Sequence, residues 1–193
     1  MEAIEALLTR RTVPQVKMTG PGPDAAQLET ILAAGMAAPD HGKLRPWRFL
    51  VIRGAAREQL GELFAASVRA RPDHHPEELE KQHKAPLRAP LLLVVIGCLR
   101  PDHPKIPEIE QIASAAAAAQ NMLVAAHALG FAGKWSTGKN AYDPVIREGL
   151  GVQKEEQIMG FLYLGSYGAE QVPSPRPERS AVVADWPPPD RER

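Results

Sequence analysis

The sequence has few of the features that would point to a specialised environment. It contains one cysteine, Cys98, so an intrachain disulfide is excluded, and the composition is compatible with a reducing compartment. Lys plus Arg and Asp plus Glu are equal at 23 each, so no net field favours nucleic acid or an anionic membrane as a partner. The first residues lack the basic start and apolar run of a signal peptide. We therefore expect a cytoplasmic protein.

The usual nucleotide and metal motifs are also missing. No Gly-x-Gly-x-x-Gly lies between a predicted strand and helix, and no Walker A sequence occurs, which argues against a dinucleotide fold. Histidines 74, 75 and 83 are better explained as part of a polar helix start than as zinc ligands, because no compact ligand spacing appears. Cys98 follows an apolar strand and is expected to be a core thiol. We predict no metal site and no nucleophilic cysteine.

One long apolar run could be mistaken for a membrane span. Residues 112–133 are rich in alanine, but Gln120, Asn121 and His127 interrupt them, and no aromatic anchors flank both ends. Pro107 suits a first helical position, and Gly130 supplies a stop signal. The pattern predicts a buried helix over 107–129, with no membrane partner.

Helical and strand patterns alternate along the rest of the chain, which at 193 residues and 44% hydrophobic content fits one medium domain. Spacing of 3.6 residues and capping signals predict helices, and short runs of β-branched and leucine residues predict strands. The predicted helices are a short one around Ile4–Leu8, one from N-cap Asp24 to before Pro39, 55–70, 107–129 and 144–150; the predicted strands are 47–53, 91–97, 131–136 and 158–165.

The C-terminal segment differs in kind from the rest of the chain. Residues 173–193 are crowded with proline and charge, and Val182, Val183 and Trp186 are their sizeable apolar groups. Disorder is the default expectation for such a segment. Docking of Trp186 against the core or a second subunit is the alternative, because an exposed indole is costly.

Two basic motifs carry the functional information. Arg10-Arg11-Thr12, at the end of the first predicted helix, places two guanidinium forks beside a hydroxyl, a donor set suited to phosphate. The two arginines could equally satisfy the carbonyls at the helix end. The loop 38–49 carries His41, Lys43 and Arg45 between two prolines, which stiffen it and let it hold polar groups against a planar ligand.

These motifs, in this order, resemble the nitroreductase family of FMN enzymes, and the short NAD(P)H nitroreductases most. The segments 119–130, 133–137, 160–165 and 175–177 are similar to the family's central helix, the strand after it, the closing strand and a basic segment near the phosphate. The resemblance implies an α+β fold: a mixed, mainly antiparallel sheet surrounded by helices, with a long central helix and an extended tail. It implies a single FMN-binding domain over 1–183 and a Pro/charge-rich tail over 184–193.

The resemblance also implies which residues form the site. Arg10, Arg11 and Thr12 would bind the FMN phosphate, with Arg176 reaching the same group. The loop with His41, Lys43 and Arg45 would cover the flavin of the other subunit of a homodimer. Many relatives have Asn and Gln where this chain has Lys43 and Arg45, and cations there could stabilise reduced, anionic flavin. The family implies that one further set lines the flavin: Trp135, Ser136 and Thr137.

The expected activity follows from the cofactor. Hydride would pass from NAD(P)H through FMN to a small-molecule acceptor such as a nitroaromatic or a quinone, and no catalytic side chain would be needed because the flavin carries the reaction. Two alternatives stay open at this point. One is a flavin- or partner-binding protein without turnover. The other is a specialised member of the fold, flavin-fragmenting or reductively dehalogenating, with residues 70–89 as its lid.

Overall fold

The computed structural model describes residues 1–169 and 175–186. Within those ranges it contains six α-helices and four β-strands, intermingled along the chain as expected for an α+β fold. In chain order they are α1 (Ala3–Thr9), α2 (Ala25–Met36), β1 (Trp47–Arg53), α3 (Ala56–Arg69), α4 (Pro76–Lys84), β2 (Leu91–Cys98), α5 (Glu108–Ala128), β3 (Ala132–Ser136), α6 (Pro144–Gly149) and β4 (Glu156–Gly165).

Most predicted elements agree with these bounds to within about two residues. Asp24 caps α2 in a reciprocal capping box with Gln27, as its spacing predicts: the Gln27 N–H donates to Asp24 Oδ1 at 2.8 Å, and the Asp24 N–H donates to Gln27 Oε1 at 2.9 Å. The exception is α4. No hydrophobic periodicity predicts this helix, because Leu79 is its one aliphatic side chain.

The four strands form one sheet in the order β1-β2-β4-β3, and all neighbouring strands are antiparallel. Parallel pairing is limited, in the described chain, to an isolated bridge between Thr12 and Gly133 at the outer edge of β3. The expected mainly antiparallel sheet is therefore confirmed. The bridge matters for function, because it attaches the chain segment after α1 to this edge.

The central strand β2 is buried on both faces, which explains its unbroken apolar sequence. Alternate residues point to opposite layers. Leu92, Val94 and Ile96 join the core under α3 and α6. Leu91, Leu93 and Val95 join the core under α2 and α5. Helices therefore cover both faces of the sheet.

Helix α5 is the long central helix that the sequence predicts, and it packs closely on α2. A Cβ on Gly35 would lie 2.8 Å from Met122 Cγ, so only a glycine permits this approach without rearrangement. The Asn121 side chain donates to the Ala34 carbonyl at 3.1 Å, which satisfies this partly buried amide.

Two segments expose apolar side chains. Helix α1 packs against α5 through Ala6, while Ile4, Leu7 and Leu8 are 67%, 51% and 72% exposed. In the tail, Trp186 is 92% exposed. The apolar face that the sequence assigns to α1 is therefore not covered by this chain's own core.

Candidate functional site

The segment Arg10–Thr12 runs from the end of α1 to the edge of the sheet. Helix α1 closes with the Arg10 N–H donating to the Ala6 carbonyl at 3.0 Å, after which the backbone becomes extended. Thr12 then forms its bridge with Gly133, and the Val13 N–H donates to the Gly133 carbonyl at 3.1 Å. The two arginines thus lie beside the start of β3.

Arg176 from the C-terminal segment reaches the same place. Its Nη2 donates to the Arg10 carbonyl oxygen at 2.9 Å. Burial, and then the positive charge of Arg176, lower the pKa of Arg10. The alternative role of Arg10 and Arg11 is to donate to the free carbonyls at the end of α1. Arg176 already donates to one of these carbonyls, which weakens that alternative.

His127, in the last turn of α5, belongs to this basic group as well. Its Nε2 lies 2.8 Å from Thr9 Oγ1. Burial lowers the pKa of His127, and the charges of Arg10 and Arg11 lower it further. We call Arg10, Arg11, His127 and Arg176 the basic cluster. Like charges held this close destabilise one another, and a phosphate dianion would relieve that repulsion, so the donor set fits the phosphate of FMN.

The far end of β3 borders a polar cleft of about 200 Å³. Ser136 and Thr137, which the family resemblance implies line the flavin, lie on its wall. Residues of α4 and of the turn after it also line the cleft, and no sequence signal marks them, because their charged pattern is typical of a solvated surface. The cleft's further lining is Gln15, Lys81, Gln82, Ala85, Arg88, Gly138, Lys139, Asn140 and Tyr163.

Lys134 and Trp135 point to opposite faces of β3, as strand alternation requires. Lys134 Nζ donates to Gln15 Oε1 at 2.7 Å, on the side of the cleft. Trp135 packs with the α2–α5 core, and its Nε1 donates to the Met159 carbonyl at 2.8 Å. The indole is thus anchored by the sheet.

The loop with His41, Lys43 and Arg45 has a constrained backbone. Gly42, Lys43 and Arg45 have φ values of 69°, 56° and 49°, in the left-handed region that costs a non-glycine residue about 1–2 kcal/mol. Two side-chain contacts hold the loop. His41 Nδ1 lies 2.6 Å from Glu110 Oε2, and the Arg45 N–H donates to Asp40 Oδ2 at 2.7 Å.

The two sets of predicted site residues lie at opposite ends of α5. Glu110, which contacts the loop, is in the first turn of the helix, and His127 is in the last. At about 1.5 Å per residue, the helix separates these two positions by about 25 Å. One protomer therefore does not bring the loop and the basic cluster into a single site.

Thr137 also borders a second, larger cleft of about 640 Å³. Glu156 on its wall accepts two hydrogen bonds from Arg48, each at 2.7 Å, which hold the pKa of the carboxyl at about 2. Cys98 lies against the same carboxylate, with Sγ 3.3 Å from Oε1, and burial raises the pKa of the thiol to about 11. With a pKa this high the thiol is almost entirely protonated at neutral pH, so little of it is in the nucleophilic thiolate form.

Neither a metal centre nor a membrane-spanning helix appears in the part of the chain that is described. No group of three or more His, Cys, Asp or Glu side chains among the described residues is arranged to hold a metal ion. Within the same ranges, none of the helices combines the length and apolarity needed to cross a membrane.

Comparison with known proteins identifies the family. The sequence profile of the Nitroreductase family matches residues 7–166. The chain is 40% identical over 167 residues to an Escherichia coli K12 protein named "Putative NAD(P)H nitroreductase YdjA", covering 86% of this chain and 88% of that protein. Among solved structures, a nitroreductase-like family protein from Bacillus cereus superposes with a TM-score of 0.82 at 22% identity, over 97% of each chain.

A nitroreductase with bound FMN from Bacteroides fragilis superposes with a TM-score of 0.71 at 24% identity, over 96% of this chain and 98% of that one. These structures confirm the predicted fold, and the sequence matches confirm the predicted resemblance. The chain belongs to the nitroreductase family of oxidoreductases.

Proposed function

We propose that this protein is a homodimeric, cytoplasmic FMN enzyme that passes hydride from NAD(P)H through the flavin to a nitroaromatic, quinone or similar small electrophile. Residues 1–183 form its FMN-binding domain, and 184–193 are a tail, of which 187–193 lie outside the described residues. Family membership supports the redox class, and the names of the relatives support the cofactor and the hydride donor.

The observation that carries the proposal is the arrangement along β3. The basic cluster lies at the start of this strand, where Thr12 bridges to Gly133. The polar cleft lies at its end, beside Ser136 and Thr137. From Gly133 to Ser136 and Thr137 there are three to four residue steps of about 3.3 Å each, so about 10–13 Å separates the two regions. A charged phosphate site and a polar ring site on one sheet edge suit a mononucleotide with an elongated shape.

Each predicted residue then has a role. Arg10, Arg11 and Arg176 pair with the phosphate, and Thr12 donates its hydroxyl to it. Ser136 and Thr137 hydrogen-bond the polar edge of the ring system. Trp135 supports this wall from the core, since the Met159 carbonyl fixes its indole.

When bound, FMN supplies the hydride chemistry, accepting from NAD(P)H and giving to the acceptor. The chain's own task is to hold two planar partners in turn. The cleft of about 640 Å³ that meets the ring site at Thr137 gives space for them. Lys81 and Arg88 add positive charge beside the ring, which favours electron density there.

A second copy completes the site. The loop with His41, Lys43 and Arg45 lies about 25 Å along α5 from its own basic cluster, so in this proposal it covers the flavin of the partner. The exposed Ile4, Leu7 and Leu8 of α1 offer an apolar surface for such an interface. The constrained loop backbone is consistent with a part shaped for binding.

The test is to purify the protein, identify any bound chromophore by mass and follow its absorbance anaerobically with NADH or NADPH. We expect FMN, bleaching on reduction, and recovery of the oxidised spectrum on adding a nitroaromatic or quinone. FAD, or a protein that stays colourless with excess FMN, would overturn the proposal. Bound flavin that NAD(P)H does not reduce would favour a binding protein without turnover. Light scattering that finds an active, flavin-bound monomer would overturn the dimer.

A further inference from the structure

The imidazole of His127 lies at the basic cluster, but the roles proposed above do not use it. It is half-buried in the last turn of α5, and Thr9 holds it from α1. Thr9 has a single hydroxyl hydrogen, and the Glu5 carbonyl accepts it at 2.7 Å. The Nε2–H of His127 therefore donates to Thr9 Oγ1, which leaves Nδ1 as the nitrogen that can gain a proton.

The charged groups around the imidazole have opposite effects on its pKa. Arg10 and Arg11 disfavour a positive ring, and Glu5 on α1 favours one. The C-terminal end of α5 also favours a cation, because the last carbonyls of a helix carry partial negative charge. In the free protein, burial and the two arginines dominate, and they lower the pKa of His127 from its ordinary value. A phosphate that neutralises the arginines would reverse this balance.

Resting on the FMN site proposed above, we propose that His127 is a proton-linked part of the phosphate site, neutral in the free protein and protonated when FMN is bound. FMN binding and proton uptake are then coupled. In this proposal the imidazole pKa is higher with FMN bound than without it. The affinity for FMN therefore rises as the pH falls from the bound-state pKa towards the free-state pKa, and it reaches its maximum below both values. The coupling depends on the dianionic phosphate group. Riboflavin lacks this group, so its binding would not be coupled to proton uptake by His127.

The experiment is calorimetric titration of the apoprotein with FMN in buffers of different ionisation enthalpy, which gives the number of protons taken up. His127→Gln keeps a donor for Thr9 and removes the titration. His75→Gln, at the exposed start of α4, is the matched control. The second ionisation of the FMN phosphate, near pH 6, occurs with every variant and cancels in the comparison.

We expect wild type and His75→Gln to take up more protons than His127→Gln near pH 6.5, and no such difference with riboflavin. Between a pH above the bound-state pKa of the imidazole and a pH below its free-state pKa, the affinity ratio of wild type to His127→Gln should grow by about tenfold for each unit by which FMN raises that pKa. Equal proton uptake by wild type and His127→Gln, with FMN bound, would overturn this inference alone. No FMN binding by wild type would overturn the proposed function with it.

A direct measurement keeps the inference falsifiable if His127→Gln folds poorly. The protonation of His127 can be followed by NMR, through the chemical shift of its ring proton as the pH is varied, in the wild-type protein with and without FMN. The midpoint of this titration should move to higher pH when FMN binds. An unchanged midpoint would refute the coupling.

Discussion

Replacing Arg10 by alanine tests the basic cluster most directly. In the proposed site its guanidinium forms a charge-assisted contact with the FMN phosphate, and such a contact is worth about 1.5–3 kcal/mol. Its loss corresponds to a Kd raised by about one to two decades. Arg10→Lys should recover part of this, because an ammonium keeps the charge but lacks the planar fork.

The apoprotein should tolerate the same change. Arg10 is only partly buried, and the charge of Arg176 lowers its pKa, so removing it relieves a repulsion. A helix-end arginine contributes about 0.3–1 kcal/mol to stability, and this relief offsets part of the loss. The pKa of His127 should rise in the variant, because Arg10 is one of the charges that depress it. That shift is measurable without any flavin.

Fluorescence titration with FMN, a thermal melt of the apoprotein and an NMR titration of His127 together make the assay. Arg69→Ala is a matched control, because Arg69 is an exposed arginine in the last turn of α3. Unchanged FMN affinity in Arg10→Ala would refute the phosphate role. A large fall in the melting temperature with normal affinity per folded molecule would return Arg10 to a purely structural role.

Three further predictions concern other parts of the structure. Arg48 holds the pKa of Glu156 at about 2, below its ordinary 4.5, so the pair stabilises the fold fully above pH 4.5, and the contribution is lost as the pH falls through 2. Allowing for solvent screening at the partly exposed Arg48, we expect Glu156→Gln to cost about 1–2 kcal/mol in chemical denaturation at pH 7, and less than half of that at pH 3, where part of the contribution is already lost. Glu110→Gln removes the carboxylate that holds His41. The affinity for FMN should therefore fall severalfold in the dimer, while the melting temperature stays within a few degrees. An unaltered Kd would argue against the proposal that the loop with His41 covers the flavin. Because burial raises the pKa of Cys98 to about 11, iodoacetamide should alkylate it slowly in native protein at pH 8 and rapidly in denaturant, as mass spectrometry can follow.

Several elements follow from signals that are local in the sequence. The Asp24–Gln27 spacing specifies a capping box within one turn of chain, and the apolar run 91–97 can only be a doubly buried strand or a core helix segment. The alanine-rich stretch between Pro107 and Gly130 is recognisable as a core helix from its composition and from the start and stop signals at these two residues. The family resemblance then supplied the order of these elements in the fold.

Contacts between segments that are distant in the chain are visible only in the folded structure. The Thr12–Gly133 bridge places the arginines after α1 against β3, and no local pattern encodes that pairing. Arg176 and His127 reach the same point from the tail and from α5, so only their positions in space assign them to one cluster. Helix α4 supplies Lys81 and Gln82 to the polar cleft at the end of β3, although its sequence is that of a solvated surface. Local physics specifies a helix or a strand within a few residues, but a site is formed by contacts between residues far apart in the chain, and those exist only once the sheet and its helices have packed.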